Sequence, residues 1–137
     1  MTTPPIQNIA VIGLGTIGHS VAQVYAAAGC TVRCFDPDPT TGASLADRVR
    51  TNLKQMASAG LSSPDEIEHV VSRFVICDSE VEAVSGAEFV SEAAAEDLTI
   101  KQALFARLEN HIDRYTILAS NTSTYPMTQI SRDMVHP

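Results

Sequence analysis

Short apolar stretches alternate along this chain with longer segments in which apolar residues recur every three or four positions. The short stretches have the length and the β-branched and aromatic content of buried strands, and the longer segments have the period of amphipathic helices. Strands that alternate with helices predict an α/β fold built on a doubly wound parallel sheet, with helices on both faces. The predicted strands are Ile6–Gly13, Thr31–Phe35, Phe74–Cys77, Glu88–Ala93 and Thr116–Ala119.

Turn and capping residues set the limits of the predicted helices. Gly29 suits the end of the first helix, and Asp38 followed by Pro39 suits the start of the second. Lys101 lies three residues before Leu104 and therefore begins the buried stripe of the last predicted helix. After Ser123 the hydrophobic pattern weakens. The predicted helices are Thr16–Ala28, Pro39 to about Gly60, Ser63 to about Ser72 and Leu98–Ile112.

A doubly wound sheet places the first strand at its centre, and the strand order reverses between the first and fourth strands. Ligands bind in the crevice at that reversal, outside the carboxyl ends of the strands. The segments that follow strands one, two, four and five should therefore line one crevice. They are Gly13–Gly18, Asp36, Ala93–Glu96 and Ser120–Ser123.

The first of these segments reads Gly-Leu-Gly-Thr-Ile-Gly, between a strand and a helix. Glycines at 13 and 15 permit tight backbone angles and the close approach of a pyrophosphate, whereas Gly18 allows the helix to pack near the strand. The positive end of the helix faces the anion, which is the arrangement of a Rossmann dinucleotide site. The predicted pyrophosphate-binding residues are Gly13, Leu14, Gly15, Thr16, Ile17 and Gly18.

Asp36 ends the second predicted strand, 18 residues after Gly18. A carboxylate at this place accepts hydrogen bonds from the hydroxyls of the adenosine ribose. The next residues, Pro37, Asp38 and Pro39, include no arginine to bind a 2′-phosphate. We therefore expect the cofactor to be NAD and not NADP.

Composition and charge restrict the remaining possibilities. A chain of 137 residues with 45% hydrophobic content predicts a single domain over residues 1–137, and its net charge of −7 argues against nucleic acid or an anionic membrane as a partner. The segment Met1–Gln7 has no basic region, and no apolar run approaches the ~20 residues of a membrane span, so neither a signal peptide nor a span is expected. The three cysteines are interpreted as small core residues of a reduced, cytoplasmic protein, and the four histidines lack ligand spacing, so no metal site is predicted.

Two further strings, SEAAAEDLTIKQALFARLE from Ser91 and LASNTSTYP from Leu118, occur at the predicted crevice. Together with the glycine turn they resemble the NAD-binding domain of the L-3-hydroxyacyl-CoA dehydrogenase family, which includes 3-hydroxybutyryl-CoA dehydrogenases. The resemblance extends over about residues 6–130. The family pattern is matched by Glu92, Ala93, Glu96, Leu98, Lys101 and Ser120–Ser123.

The resemblance implies roles for individual residues. Glu96 and Lys101 would contact NAD on the side of the nicotinamide ribose, and Ser123 would be a catalytic residue that reaches the substrate oxygen and the cofactor. The alternatives are a solvated acid at Glu96, a snorkelling side chain at Lys101 and, for the run 120–122, polar groups that only satisfy a turn. Two other residues keep two interpretations each: a tuned or a paired buried acid at Glu92, and a cofactor contact or a packing residue at His19.

The resemblance also implies an activity, the oxidation of 3-hydroxyacyl thioesters of CoA or a carrier protein, in fatty acid metabolism and by a homodimeric full-length enzyme. Family members carry a catalytic histidine in a later G-x-H-F-x-N-P string and an all-helical C-terminal domain, both absent from this chain, so we expect the chain alone to bind NAD and to be inactive. Tyr125-Pro126 departs from the family pattern. This departure leaves the substrate open. The alternatives are a family relative acting on carrier-protein-bound or free hydroxy acids, such as carnitine or a sugar acid, and a non-catalytic NAD-binding module.

Overall fold

The computed structural model describes residues 4–137, so Met1–Thr3, part of the segment tested above for a signal peptide, lie outside the described residues. Each predicted strand is present, with ends that differ by at most two residues from the prediction. The strands are β1 (Asn8–Ile12), β2 (Thr31–Phe35), β3 (Phe74–Ile76), β4 (Phe89–Glu92) and β5 (Ile117–Ser120).

All five strands are parallel and lie in the order β3-β2-β1-β4-β5. The central strand β1 pairs with both β2 and β4, so the order reverses at the predicted place. The predicted fold class is therefore confirmed. Since β1 and β4 end at paired positions, Ile12 and Glu92, the segments that follow them leave the sheet side by side.

The helices cover the two faces of this sheet. The helices are α1 (Thr16–Ala27), α2 (Pro39–Ala43), α3 (Leu45–Ser58), α4 (Ile67–Val71), α5 (Glu80–Val84), α6 (Leu98–Leu108) and α7 (Met127–Ile130), with 3₁₀ turns at Pro64–Glu66, Glu109–His111 and Ser131–Asp133. Two separate apolar cores result, one beneath α1, α3 and α4 and one beneath α5 and α6.

The single helix predicted from Pro39 towards Gly60 is wrong, because α2 and α3 are separate helices that meet at Ser44. The carbonyl oxygen of Thr41 would accept the next helical hydrogen bond in a continuous helix. Instead it accepts from Ser44 Oγ at 3.0 Å and from Arg48 Nη2 at 2.9 Å. Side chains that compete for a backbone carbonyl in this way interrupt a helix.

The C-terminal part of the chain also differs from the prediction. Helix α6 ends at Leu108 and continues to His111 only as a 3₁₀ turn, so the predicted helical end at Ile112 is too late. Beyond Ser123, where no element was predicted, α7 and a 3₁₀ turn pack against α6, and Ile130 is fully buried. One buried residue in a four-residue helix is too weak a pattern to detect by periodicity.

Candidate functional site

The glycine turn, residues 13–18, has a different reason for each of its glycines. Gly13 has φ +91°, and a Cβ there would lie 2.6 Å from the carbonyl carbon of Ala93. A Cβ on Gly18 would lie 1.7 Å from the carbonyl oxygen of Gly13. These two glycines therefore allow β1, α1 and the segment after β4 to approach one another.

Gly15 differs, because a Cβ there would meet no atom within 4 Å. Its φ is −68°, so a left-handed backbone conformation is not the reason for this glycine. The remaining reason is the space beside its backbone, which a second molecule could fill. A pyrophosphate that approaches the main chain needs that space.

Helix α1 begins immediately after Gly15, and within residues 4–137 no side chain caps it. The first amides of a helix have no carbonyl partner inside the helix, and they carry its positive dipole. Thr16 and Ile17, the first two helical residues, are exposed. The structure therefore places uncapped amides beside the open space at Gly15, which is how a helix binds a phosphate.

Asp36 lies directly against the glycine turn. Its Oδ2 accepts a hydrogen bond from the amide of Leu14 at 2.8 Å, and its Oδ1 accepts from the amide of Asp38 at 2.9 Å. The side chain of Leu14 is fully buried, so this residue fixes the acid and offers the crevice neither its side chain nor its amide. The Asp38 carboxylate accepts from the Thr40 amide, which lowers the pKa of Asp38, so a second negatively charged residue follows Asp36 by two positions.

A cavity of about 550 Å³ opens between the glycine turn, Asp36 and α6. At its edge, Arg107 Nε donates to Glu80 Oε1 at 2.7 Å, an ion pair that the sequence did not reveal because the two residues belong to different helices. The lining is Ile12, Gly13, Gly15, Phe35, Asp36, Pro37, Glu80, Ala93, Ala94, Ala95, Ile100, Leu104 and Arg107. Most of this surface is apolar, and the polar groups are concentrated near Asp36 and the rim.

A second cavity, of about 490 Å³, lies between the end of α6 and the C-terminal segment. It is lined in part by Phe105, Leu118, Met127 and His136. None of the predicted site residues lines it. We therefore locate the candidate site at the 550 Å³ cavity.

Glu92 and Lys101 form an ion pair inside the protein, with side-chain exposures of 0% and 1%. Lys101 Nζ donates to Glu92 Oε1 at 2.7 Å and to the carbonyl oxygen of Ala94 at 3.4 Å. The Ala94 amide donates to the same Oε1 at 2.6 Å, and Ser120 Oγ donates to Oε2. Lys101 is therefore not a snorkelling side chain, and Glu92 is the paired buried acid of the two interpretations.

The two remaining residues implied by the resemblance lie closer to the surface. Glu96 is exposed, and its carboxylate accepts a hydrogen bond from Thr122 Oγ1, which connects the loop before α6 to the turn after β5. Ser123 is exposed, and within residues 4–137 its hydroxyl makes no hydrogen bond. Of the polar run that ends β5, Ser123 is thus the residue whose hydroxyl is available to a ligand.

The other members of that run serve the turn. Asn121 Nδ2 donates to Ser91 Oγ at 2.8 Å and to the carbonyl oxygen of Glu92 at 2.9 Å. Thr122 Oγ1 accepts from the amides of Thr124 and Tyr125, both at 3.2 Å. These bonds match the structural interpretation of residues 121 and 122, because short polar side chains after a strand often satisfy a turn.

His19 contacts the glycine turn from behind. Its Nδ1 lies 2.8 Å from the carbonyl oxygen of Gly15, and its Nε2 lies 3.2 Å from Asn52 Nδ2. Because a carbonyl can only accept, Nδ1 carries the proton and Nε2 accepts from Asn52. The sequence offers no signal for this contact, since Asn52 lies 33 residues away on α3.

No cysteine lines the 550 Å³ cavity. Cys34 and Cys77 are buried in opposite cores, as predicted for small core residues, and Cys30 is half-buried. Burial, together with the nearby Cys77, raises the pKa of Cys34 to about 12. Within residues 4–137, no group of three or more His, Cys, Asp or Glu could hold a metal ion, and no helix has the length and apolar character needed to cross a membrane.

Known proteins share both the sequence and the fold of this chain. Residues 8–137 match a sequence family described as 3-hydroxyacyl-CoA dehydrogenase, NAD binding domain. A probable 3-hydroxybutyryl-CoA dehydrogenase of Bacillus subtilis is 35% identical over 126 residues, which cover 92% of this chain and 44% of that protein. An L-carnitine dehydrogenase of Streptomyces griseus is 31% identical, with 96% of this chain and 38% of that protein covered.

The crystal structure of a 3-hydroxybutyryl-CoA dehydrogenase from Escherichia coli superposes with a TM-score of 0.90 and 30% identity, over 98% of this chain and 28% of that chain. The chain thus spans less than half the length of these relatives. The family match covers the glycine turn, Asp36 and the crevice, and it confirms the predicted family, fold and cofactor. The chain belongs to the 3-hydroxyacyl-CoA dehydrogenase family, of which it is an NAD-binding domain.

Proposed function

We propose that this chain provides the NAD-binding part of an enzyme that oxidises 3-hydroxyacyl thioesters to 3-ketoacyl thioesters. One observation carries the proposal: Gly15 leaves open space beside the uncapped start of α1, in the same cavity as Asp36. NAD, when bound, supplies the acceptor for the hydride that leaves the hydroxyl-bearing carbon. The relatives named above support the reaction class, and the activity of the whole protein is part of the proposal.

The adenosine half of NAD fits the cavity at Asp36. The amides of Thr16 and Ile17 would bind the pyrophosphate, and Asp36 would accept hydrogen bonds from the ribose hydroxyls. A 2′-phosphate in the same place would meet the carboxylates of Asp36 and Asp38, both held by backbone amides. This arrangement favours NAD over NADP.

The nicotinamide half would lie towards the ends of β4 and β5. We propose that Glu96 and Lys101 contact the ribose there, as the family resemblance implies. The side chain of Lys101 is 1% exposed, and the hydrogen bonds to Glu92 and Ala94 use two of the three Nζ protons, so a contact with the ribose would have to use the third. Ser123, with its unengaged hydroxyl, would orient the substrate oxygen on the carbon that gives up hydride.

A base must remove the hydroxyl proton as hydride leaves. His136 lines the second cavity and its amide donates to Glu109, so it does not lie at the crevice. We therefore propose that the base and much of the acyl site belong to the remainder of a longer enzyme, in keeping with relatives more than twice as long. On this proposal, residues 1–137 bind NAD and turn over little or no substrate.

Titration of the chain with NADH, followed by calorimetry and by nicotinamide fluorescence, tests the binding half of the proposal. We expect saturable binding of NADH, much weaker binding of NADPH and no 3-hydroxybutyryl-CoA oxidation by the isolated chain. Failure to bind NADH would refute the proposal. Robust oxidation by the chain alone would refute the proposal that the base belongs to the remainder of a longer enzyme. The full-length protein should oxidise the CoA thioester.

A free hydroxy acid is the second candidate substrate, and the similarity to an L-carnitine dehydrogenase favours it. Tyr125, which departs from the family pattern, is partly buried just after the Ser120–Ser123 turn. Assay of the full-length protein with 3-hydroxybutyryl-CoA and with carnitine separates the two. A homodimer of the full-length enzyme and a cytoplasmic location are proposed as well; three free thiols suit a reducing compartment.

A further inference from the structure

Glu92 is the acceptor at the centre of a buried polar cluster that joins three elements. Lys101 reaches it from α6, Ser120 from the end of β5, and the Ala94 amide from the loop that follows β4. All three donors bind the two oxygens of one carboxylate that has no exposed surface. We name Glu92, Lys101 and Ser120 the clasp.

The clasp is expected to contribute little free energy to the stability of the fold. Burial of a carboxylate and an ammonium costs free energy that their attraction rarely exceeds, and apolar residues of the same volume often stabilise a protein as well or better. Elsewhere in residues 4–137, the salt bridges between side chains have at least one partner that is 33% or more exposed. Stability alone therefore does not account for a fully buried pair at this place.

The position of the clasp suggests what it does. The loop from Ala93 to Asp97, held through the Ala94 amide, carries Glu96. The turn that begins at Ser120 carries Ser123, and the backbone amide of Asn121 donates to the Glu92 carbonyl at 2.8 Å. Two segments bonded to the Glu92 carboxylate, the loop after β4 and the turn after β5, thus each carry a residue that the proposed function assigns to the nicotinamide half of NAD.

We infer that Glu92 is a positioning residue that sets the nicotinamide side of the crevice by holding Lys101, the Ala94 amide and Ser120 together. It touches neither cofactor nor substrate. The inference rests on the proposed function for what the crevice binds, but the clasp itself exists without ligand. The adenosine side, formed by the glycine turn and Asp36, makes no hydrogen bond to the clasp within residues 4–137.

This difference between the two sides defines the experiment. ADP contains the adenosine half and the pyrophosphate, whereas NADH adds the nicotinamide ribose and its base. The variants Glu92→Gln and Ser120→Ala should raise the Kd of NADH roughly fivefold or more and change the Kd of ADP by less than about twofold. A role confined to stability would lower Tm and leave the ratio of the two Kd values unchanged.

Glu88→Gln is the matched control. Glu88 lies just before the other end of β4, and its carboxylate also accepts from two backbone amides, those of Gln7 and Asn8, at 2.9 and 2.8 Å. Glu88 is exposed, so its replacement removes a carboxylate bonded to backbone amides, without a buried ion pair, from the edge of the sheet opposite the crevice. We expect the ratio of the NADH and ADP affinities to remain that of the wild type.

Hydrogen exchange of the ligand-free protein gives a second readout, independent of NAD. Glu92→Gln should speed exchange in the segments 93–97 and 120–124, and Glu88→Gln should not. If Glu92→Gln does not fold, Ser120→Ala still tests the inference, because it removes the hydrogen bond from Ser120 to Glu92 and keeps the ion pair with Lys101. Folded clasp variants with the wild-type affinity ratio and wild-type exchange would overturn the inference.

If the wild type binds neither ADP nor NADH, the proposed function fails, and the exchange experiment still tests the clasp. If the wild type binds both and the clasp variants weaken both equally, the proposed function stands and the positioning role is refuted. Lys101 is left unchanged in these tests because it is itself proposed to contact the ribose.

Discussion

A single methyl group at Gly15 should weaken cofactor binding and leave the fold intact. The Cβ of an alanine there would meet no protein atom within 4 Å, and the φ of −68° lies outside the left-handed region that favours glycine. We therefore expect the free energy of unfolding of Gly15→Ala to differ from that of the wild type by less than about 1 kcal/mol. The methyl group would instead occupy the space from which a phosphate approaches the first amides of α1.

The expected loss of affinity follows from the hydrogen bonds at risk. A hydrogen bond between an amide and a charged phosphate contributes roughly 1.5–3 kcal/mol. Loss of one such bond raises Kd by roughly 10- to 150-fold. Both ADP and NADH should be affected, because the pyrophosphate is common to them, and calorimetry with each ligand measures the change.

Gly18→Ala is the contrasting variant within the same turn. Its Cβ would lie 1.7 Å from the carbonyl oxygen of Gly13, so α1 must move away from β1. We expect the free energy of unfolding in urea to fall by about 3 kcal/mol or more, with affinity lost as a consequence. A folded Gly15→Ala variant that binds ADP as tightly as the wild type would refute the assignment of the phosphate to this turn.

Three further predictions concern single side chains. Asp36→Asn and Asp36→Ala should both raise the Kd of NADH by roughly tenfold or more, as measured by calorimetry. Asp36→Ala should also lower the free energy of unfolding by about 1–3 kcal/mol, because the buried Leu14 amide loses its acceptor. Equal stability of the two variants would contradict the role of that bond. Burial raises the pKa of Cys34 to about 12, so Cys34 should resist iodoacetamide in the folded protein while the half-buried Cys30 reacts. Mass spectrometry of the alkylated peptides measures both rates, and faster alkylation of Cys34 would contradict this prediction. The amides of Gln7 and Asn8 lower the pKa of Glu88, so its contribution to stability is complete above the unfolded pKa and is lost as pH falls through the folded pKa. The difference between the wild type and Glu88→Gln in the free energy of unfolding in urea should be constant near neutral pH and shrink below about pH 4.5. A difference that persists in acid would be inconsistent with this linkage.

The parts of the fold that could be predicted depend on local pattern. The five strands follow from short β-branched runs, and the parallel order follows from their alternation with helices. Asp38 could be predicted to cap α2 because it precedes a proline suited to the first helical turn, and its carboxylate does accept from the Thr40 amide at 2.9 Å. In each case the deciding interactions lie within a few residues of one another along the chain.

The parts that could not be predicted depend on contacts between distant residues or on competition within one turn. The break at Ser44 arises because the side chains of Ser44 and Arg48 donate hydrogen bonds to the carbonyl oxygen of Thr41. Helix propensities of single residues do not describe such competition for a backbone carbonyl. The hydrogen bond from Leu14 to Asp36 joins residues 22 positions apart, so the sequence indicated both residues as part of the site but not that one holds the other.

The same distinction divides the candidate site. Its proposed adenosine half lies within residues 9–37, one strand-helix-strand unit, so the spacing of its glycines and its acid was enough to predict it. Its nicotinamide half is assembled from β4, α6 and β5, and the residues there could be named only through a family resemblance. A half-site built from three elements needs something to hold those elements in register, and the buried carboxylate of Glu92 is bonded to all three. For this reason, we expect substitutions in the glycine turn to act on every adenine nucleotide, and substitutions in the clasp to discriminate between ADP and NADH.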